Sequence, residues 1–507
     1  MKKLTFSFIE NEAWYGLGSV YGVKLPLTAS SALDVDFVTA YTGNQETPFL
    51  VSSRGRYVWS EEPFHLTVKD GVLSLEGDDD LELHAGFENL RGAYLDACGR
   101  YFPPNGKLPA ENFFKKPQYN TWVELIYDQN QRDILKYAHG IIDNGLPAGI
   151  LMIDDNWNCY YGKWEFDRAA FPDPKAMIDE LHALGFEVML WICPFVSPDS
   201  AEFRELNRKK CLVRGADGET AIRRWWNGFS AVLDLTNPDA EQWFLDRCEH
   251  LMRDYGVDGF KMDAGDLYYY RDDDLTFAPT TAHGQVERWA RLGLHFAYNE
   301  FRSCWKCAGE PLVQRLCDKA HRWENGVATL IPNTLAQGIQ GYSYTCPDMI
   351  GGGSFTDFLP GAPTLDRELF VRSAQCSALL PMMQYSAAPW RVLDRASADI
   401  CIEAGKLHLR YAAEIFRLVK EASVTGEPVI RYMEYEFPGE GLEAVTDQFM
   451  LGKDLLVAPV VTKGSVTREV SLPHGRWTYV DGKVYEGSRR VTVDAPIHVL
   501  PYFAKAL

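Results

Sequence analysis

A chain of 507 residues is too long for one hydrophobic core, so two to four domains are expected. Its 46% hydrophobic and 24% charged residues are ordinary for a soluble globular enzyme, and 13% aromatics suit stacking on sugar faces as well as core packing. A formal charge of −19, with no basic cluster to relieve it, argues against nucleic acid and anionic membrane as partners.

The start, Met1-Lys2-Lys3, is basic like a leader, but Glu10 and Glu12 interrupt before an apolar region develops. No later stretch reaches the roughly 18 apolar residues of a membrane span. Eleven Cys, an odd number without a framework, fit reduced thiols and a cytoplasmic location. Cys304-Trp305-Lys306-Cys307 has metal or redox spacing but lacks a second pair, so no metal or other cofactor is expected. Self-association stays open.

Residues 1–112 read as short alternating segments broken by Gly, Asn and Asp, such as Phe64-His65-Leu66-Thr67-Val68 and Val72-Leu73-Ser74-Leu75. That pattern predicts an N-terminal β-sandwich. From 113 to 425 apolar runs of about five residues alternate with helical periods, the βαβ signature of a parallel sheet. Strands are predicted at 149–153, 188–192, 257–262, 311–316 and 379–383, with weaker ones near 119–125, 297–302 and 340–344. Helices are predicted at 174–184 and, after Asn237-Pro238, at 239–254. Eight such units make an α/β fold, a (β/α)8 TIM barrel, with an open doubly wound sheet as the runner-up. No GxGxxG or phosphate loop follows any strand. Residues 426–507 return to β-rich sequence and predict a C-terminal β-sandwich, including a strand 455–461 broken by Pro459.

In a barrel, chemistry gathers at the C-terminal ends of the strands. Lys261 and Asp263 share a face by strand alternation, and a mutual pair would keep Asp263 ionised; a structural ion pair fits equally. Asp154 and Asp155 end another strand and suit sugar hydroxyls, a metal, or a helix cap. Trp191 is either core or a stacking platform. Arg302 and Arg315 sit at further strand ends, and Asp318 is either a catalytic carboxylate or an N-cap. Asp348 precedes Gly351-Gly352-Gly353, a loop that wraps a ligand or merely turns. Several carboxylates on one rim, with neither a His cluster nor a Ser–His pattern, are what glycoside hydrolysis requires.

The motifs also resemble glycoside hydrolase family 31. Phe260-Lys261-Met262-Asp263-Ala264-Gly265-Asp266 is similar to its nucleophile segment, and Cys317-Asp318 with Trp323 five residues on is similar to its acid/base segment. Residues 335–352, ending in Asp348-Met349-Ile350-Gly351-Gly352, resemble its next strand and turn; 448–464 resemble its C-terminal sandwich. Within the family, 118–125, 152–157 and 193–198 resemble the myogenesis-regulating glycosidase subgroup, which implies α-galactosidase activity. The resemblance implies Asp263 as nucleophile and Asp318 as acid/base of a retaining, exo-acting enzyme. It further implies Asp154, Asp155, Trp191, Lys261, Arg302 and Asp348 as sugar-binding residues, with an α-galactoside oligosaccharide or glycoconjugate as substrate. Two positions depart from the family pattern. Cys317 replaces the usual Gly, and 384–390 lacks the His common after the eighth strand in α-glucosidases. The alternatives are an α-glucosidase, an α-xylosidase, an inactive carbohydrate-binding homologue, and more distantly a metal-dependent hydrolase using Asp154, Asp155 and Asp263.

Overall fold

The structure is a computed structural model that describes residues 2–39, 43–359 and 365–506. Met1, at the head of the basic start, lies outside them. Eight parallel strands form the centre: β1 (Gln118–Asn120), β2 (Ile150–Ile153), β3 (Glu187–Ile192), β4 (Gly259–Met262), β5 (Tyr298–Phe301), β6 (Gln314–Arg315), β7 (Thr345–Cys346) and β8 (Gln384–Tyr385). They pair in the order β7-β6-β5-β4-β3-β2-β1-β8. A parallel bridge between Met349 and Gln384, with Ile350 N–H donating to the Gln384 carbonyl at 2.8 Å, draws the two edges together. The result is a (β/α)8 barrel, as the alternating periods predict.

β2, β3 and β4 are buried on both faces, as strands inside a ring of helices must be. The helices predicted at 174–184 and 239–254 run Pro174–Ala183 and Pro238–Tyr255. Each opens on a side-chain cap, Asp173 or Asn237, with Pro at the first turn.

The short strands differ from expectation. The apolar run 379–383 is not a strand; it follows the helix Arg367–Ala378 into the core, and pairing begins only at Gln384. The segment 119–125 forms β1 and then a helical turn, Trp122–Leu125. Pairing in 311–316 is confined to Gln314–Arg315, and β7 falls just after 340–344. In each case burial supplies the apolar signal, while strand pairing covers only two or three residues.

Two sheets make up the N-terminal region. One joins Lys2–Ser7, Val72–Gly77, His65–Lys69 and Leu33–Asp36; the other joins Trp14–Gly18, Gln45–Ser52, Arg56–Trp59 and Glu82–Ala85. Trp14, Leu50 and Val58 from the second sheet meet Leu66, Val68, Leu73 and Leu75 from the first in a separate core. Cys304–Trp305 of the barrel adds a parallel strand to the second sheet, pairing with Gln45 and Glu46. At the C-terminal end a six-stranded sheet faces the pair Thr467–Leu472 and Arg489–Asp494, with Met433, Val470, Trp477, Val493 and Phe503 between them. The strand expected at 455–461 ends at Val457, before Pro459.

Candidate active site

A cavity of about 430 Å3 opens at the C-terminal ends of the barrel strands. Its walls include Asp154, Asp155, Trp191, Lys261, Asp263, Arg302 and Asp318, seven of the eight residues that the resemblance implies for catalysis or sugar binding. The eighth, Asp348, does not line it.

Asp263 directly follows β4. Ala264 and Gly265 both turn through the left-handed region, at φ 54° and 70°, so the chain leaves the strand sharply. A Cβ on Gly265 would come within 2.3 Å of the Trp289 ring, so the bend needs glycine. The carboxylate accepts from the Arg302 Nε at 3.0 Å, the Trp191 Nε1 at 2.9 Å and the Ala264 N–H at 2.9 Å. Burial opposes its ionisation, but Arg302, Lys261, Arg315 and the Trp191 hydrogen bond outweigh burial and hold the carboxyl well below the usual range. Trp191 therefore does more than fill the core: its ring edge fixes this carboxylate.

The expected Lys261–Asp263 pair is not the one that forms. Lys261 Nζ reaches past β3 to Asp154 Oδ2 at 2.6 Å, and Arg302 takes Asp263 while also meeting Asp266 at 2.9 Å. Strand alternation correctly put Lys261 and Asp263 on one face, but β2, one strand beyond β3, supplied the closer partner.

Asp154 and Asp155 do not cap a helix; the chain continues into the hairpin Asn158–Tyr160 and Lys163–Phe166. Among the described residues no cluster of His, Cys, Asp and Glu is arranged to hold a metal ion, and all eleven cysteines, including Cys304 and Cys307, are free. Asp155 accepts from the Tyr161 hydroxyl at 3.1 Å and from the Asn227 amide. Burial, and then the neighbouring Asp154, push its carboxyl up to about 7.

Asp318 is not an N-cap either, because the next helix begins only at Trp323. Its side chain is 40% exposed and accepts from the Arg315 Nη1 at 2.9 Å. Asp348 sits behind it, 1% exposed in its side chain, on the same Arg315 nitrogen at 2.9 Å. The other Asp348 oxygen accepts the Lys319 and Gly353 N–H groups at 2.6 and 2.8 Å. Asp348 thus braces the turn that carries Asp318, and its oxygens are engaged there rather than in the cavity wall where a sugar contact was expected. Gly353 packs directly on Asp318, where an added Cβ would lie 2.8 Å from the carboxyl carbon.

Seven acidic groups (Asp154, Asp155, Asp263, Asp266, Asp318, Asp348 and Glu300) share three cations (Lys261, Arg302 and Arg315). Such a surplus cannot all be ionised in a buried site. Burial accordingly leads in raising Asp155, Asp348 and Glu300, whereas Asp263, beside Arg302, moves the other way. The N-terminal region braces the same rim: the Gly43 carbonyl accepts from Arg302 at 2.8 Å, and Gln45 donates to the Arg302 and Arg315 carbonyls at 2.7 and 2.8 Å.

Sequence reading did not single out Tyr127, Tyr161, Trp226, Asn227 or Phe355, all of which face or flank the cavity. They lie on excursions after the strands. The dipeptide Asn227-Gly228 between alternating segments is a hairpin signal that marks one of these excursions.

Residues 117–299 match the model for the glycosyl hydrolases family 31 TIM-barrel domain, and residues 426–506 match that for the family 31 C-terminal domain. The myogenesis-regulating glycosidase of Mus musculus is 32% identical over 422 residues, covering 80% of this chain and 58% of that protein. An alpha-xylosidase of Lactiplantibacillus pentosus is 26% identical, covering 88% of this chain and 61% of its own length. The chain thus spans under two thirds of these relatives. The GH31 dextranase of Flavobacterium johnsoniae superposes with a TM-score of 0.87 at 20% identity, over 99% of this chain and 66% of that one.

Proposed function

The chain belongs to glycoside hydrolase family 31, and from that membership we propose that it is a retaining, exo-acting α-glycosidase with Asp263 as nucleophile and Asp318 as acid/base. One observation carries the reading. A buried carboxylate held ionised by Arg302, Lys261 and Trp191 lines the same cavity as a second, much more exposed carboxyl. A nucleophile must be ionised, and an acid/base must exchange protons with the leaving group and with water.

In the first step Asp263 attacks the anomeric carbon, and the glycosidic bond breaks as Asp318 delivers its proton to the departing oxygen. The glycosyl-Asp263 ester then yields to a water from which Asp318 takes a proton. Two inversions return the α-anomer. Asp154 and Asp155 grip sugar hydroxyls at the closed end of the cavity. Lys261 holds Asp154 in place from β4, and Trp191 both lines the subsite and orients Asp263. Asp348 acts behind Asp318 rather than on the sugar.

The favoured sugar is an α-galactoside, on the resemblance of 118–125, 152–157 and 193–198 to the galactosidase subgroup and the lack of a His after β8. Relatives named as xylosidases support α-xyloside as the second reading. The eleven free thiols support a reducing compartment such as the cytoplasm. A panel of nitrophenyl α- and β-glycosides of galactose, glucose and xylose decides. Fastest release from the α-galactoside is expected, because a site built around one hydroxyl arrangement leaves its own polar groups unpaired with the epimer. Equal or faster release from α-glucoside or α-xyloside overturns the sugar assignment, and release from β-glycosides alone overturns the reading.

A further inference from the structure

We propose that Asn227, at the tip of the hairpin formed by Ile222–Trp225 and Gly228–Val232, is a positioning residue that holds the Asp155 carboxylate as an acceptor for a substrate hydroxyl. The identity of that substrate rests on the glycosidase reading above. The hydrogen-bond network does not.

Trp225 pairs with Gly228 across the hairpin, leaving Trp226 and Asn227 as its two-residue tip. The Asn227 amide nitrogen donates both to Asp155 Oδ2 and to the Tyr161 hydroxyl, the latter at 2.7 Å. Tyr161 passes its own hydrogen to Asp155 Oδ1 at 3.1 Å, and the Asn156 N–H reaches that same oxygen at 2.7 Å. Every hydrogen in this ring runs toward the carboxylate. Turning the Asn227 amide over would set its oxygen against Asp155, so the orientation is fixed by the acceptor-only character of the carboxylate.

Asp155 depends on these neutral donors because no cation serves it directly. Asp154 stands beside it in the chain, Cys193 faces it from the end of β3, and Lys261 and Asp263 line the same cavity. Lys261 is committed to Asp154, and among the described residues no Lys or Arg forms an ion pair with Asp155. Burial and Asp154 push the carboxyl toward its neutral form, whereas Asn156, Tyr161 and Asn227 pull it back. Asn227 is the one of these donors that arrives from outside the β2 excursion. Its neighbour Trp226 lines the cavity and lies 5.8 Å from the guanidinium of Arg302, the partner of Asp263. One hairpin tip therefore touches both the hydroxyl-binding end and the support of the reacting end.

Two variants separate positioning from mere folding. Asn227→Leu removes both donors at similar volume, and Asn227→Asp is isosteric but adds a carboxylate. KM and kcat are measured from pH 5 to 9 on the best α-glycoside. In parallel, the Asp155 carboxyl is titrated by 13C NMR, with Asp155→Asn assigning its signal. Asn227→Leu is expected to raise KM about tenfold or more at pH 7 with a smaller change in kcat. The Asp155 titration, and with it the acidic limb of kcat/KM, should move up by about one pH unit. Asn227→Asp is expected to lose as much at pH 8 but to recover toward pH 6, where two facing carboxyls share a proton. A loss that is the same at every pH, or an Asp155 titration unmoved in both variants, overturns the proposal. Should the wild type cleave no α-glycoside, the enzymatic reading fails while the carboxyl titration still decides the role of Asn227.

Discussion

Replacing Arg302 by Met probes the electrostatics on which the nucleophile depends. Its guanidinium lies 3.0 Å from Asp263 and 2.9 Å from Asp266, the latter wholly buried and the former nearly so. Removing one partner from a buried pair costs about 3–5 kcal/mol. A second route gives the same size. The stranded carboxylates respond by taking up one proton, which from an ordinary pKa of about 4 costs about 4 kcal/mol at pH 7. The sign with pH follows from linkage. In the wild type the folded-state pKa of Asp263 is depressed, so its stabilisation is present above the unfolded pKa and is lost only as pH falls through the lowered value. In Arg302→Met the folded-state pKa rises above the unfolded one, so the destabilisation grows with pH across about 4–7. The lost wild-type stabilisation enters equally at pH 5 and pH 7, so the deficit against wild type should be larger at pH 7 by about 2.7 kcal/mol, two pH units of one proton. Scanning fluorimetry should then record a Tm loss of roughly 5–10 °C at pH 7 and a clearly smaller one at pH 5. Activity should move the other way, with kcat of the variant rising with pH as Asp263 regains its charge. A Tm loss equal at both pH values would assign the cost to packing, and no loss at either would refute the reasoning.

Three further outcomes follow from the same geometry. Asp318→Ala should slow a disaccharide far more than a nitrophenyl glycoside, whose leaving group needs no proton, and added azide should restore turnover; equal losses without rescue make Asp318 structural. Asp318→Asn should leave stability within about 1 kcal/mol, since the side chain is 40% exposed, whereas Asp348→Asn should cost about 2–4 kcal/mol by stranding Arg315 and two backbone donors. Thermal unfolding of the two variants compares them directly. A chelator should leave kcat unchanged; loss of activity that is restored by a divalent metal would revive a metal-dependent mechanism.

The barrel was legible where the sequence carries length and period together. β2 and, after Glu187, β3 are continuous apolar runs, β4 is broken only by Lys261, and the capped helices beside them announce their own starts. β6, β7 and β8 pair over only two residues each, so no periodicity can mark them, and buried coil such as 379–383 imitates a strand. The site was legible as a set of polar residues at strand ends, because charge there has few other reasons to exist. Its pairing was not. Alternation gives the face of Lys261 but not that Asp154, at the end of the next-but-one strand, lies 2.6 Å away. Asp348 shows the same limit from the other side: position alone did not reveal that both of its oxygens are spent on Arg315 and on the backbone of the turn. Asn227, Tyr161 and Trp226 reach the cavity from hairpins whose place on the barrel is fixed only by tertiary packing.

The account stands most directly on a covalent bond between sugar and Asp263. Treating the enzyme with a 5-fluoro α-glycosyl fluoride of its preferred sugar, then digesting and mapping by mass spectrometry, looks for that bond itself. The account predicts one glycosyl adduct, on the peptide Phe260-Lys261-Met262-Asp263-Ala264-Gly265-Asp266 with the mass carried by Asp263, and none in Asp263→Ala. An adduct on Asp154, Asp155, Asp318 or Asp348 instead, or inactivation of the wild type without any adduct, would contradict it.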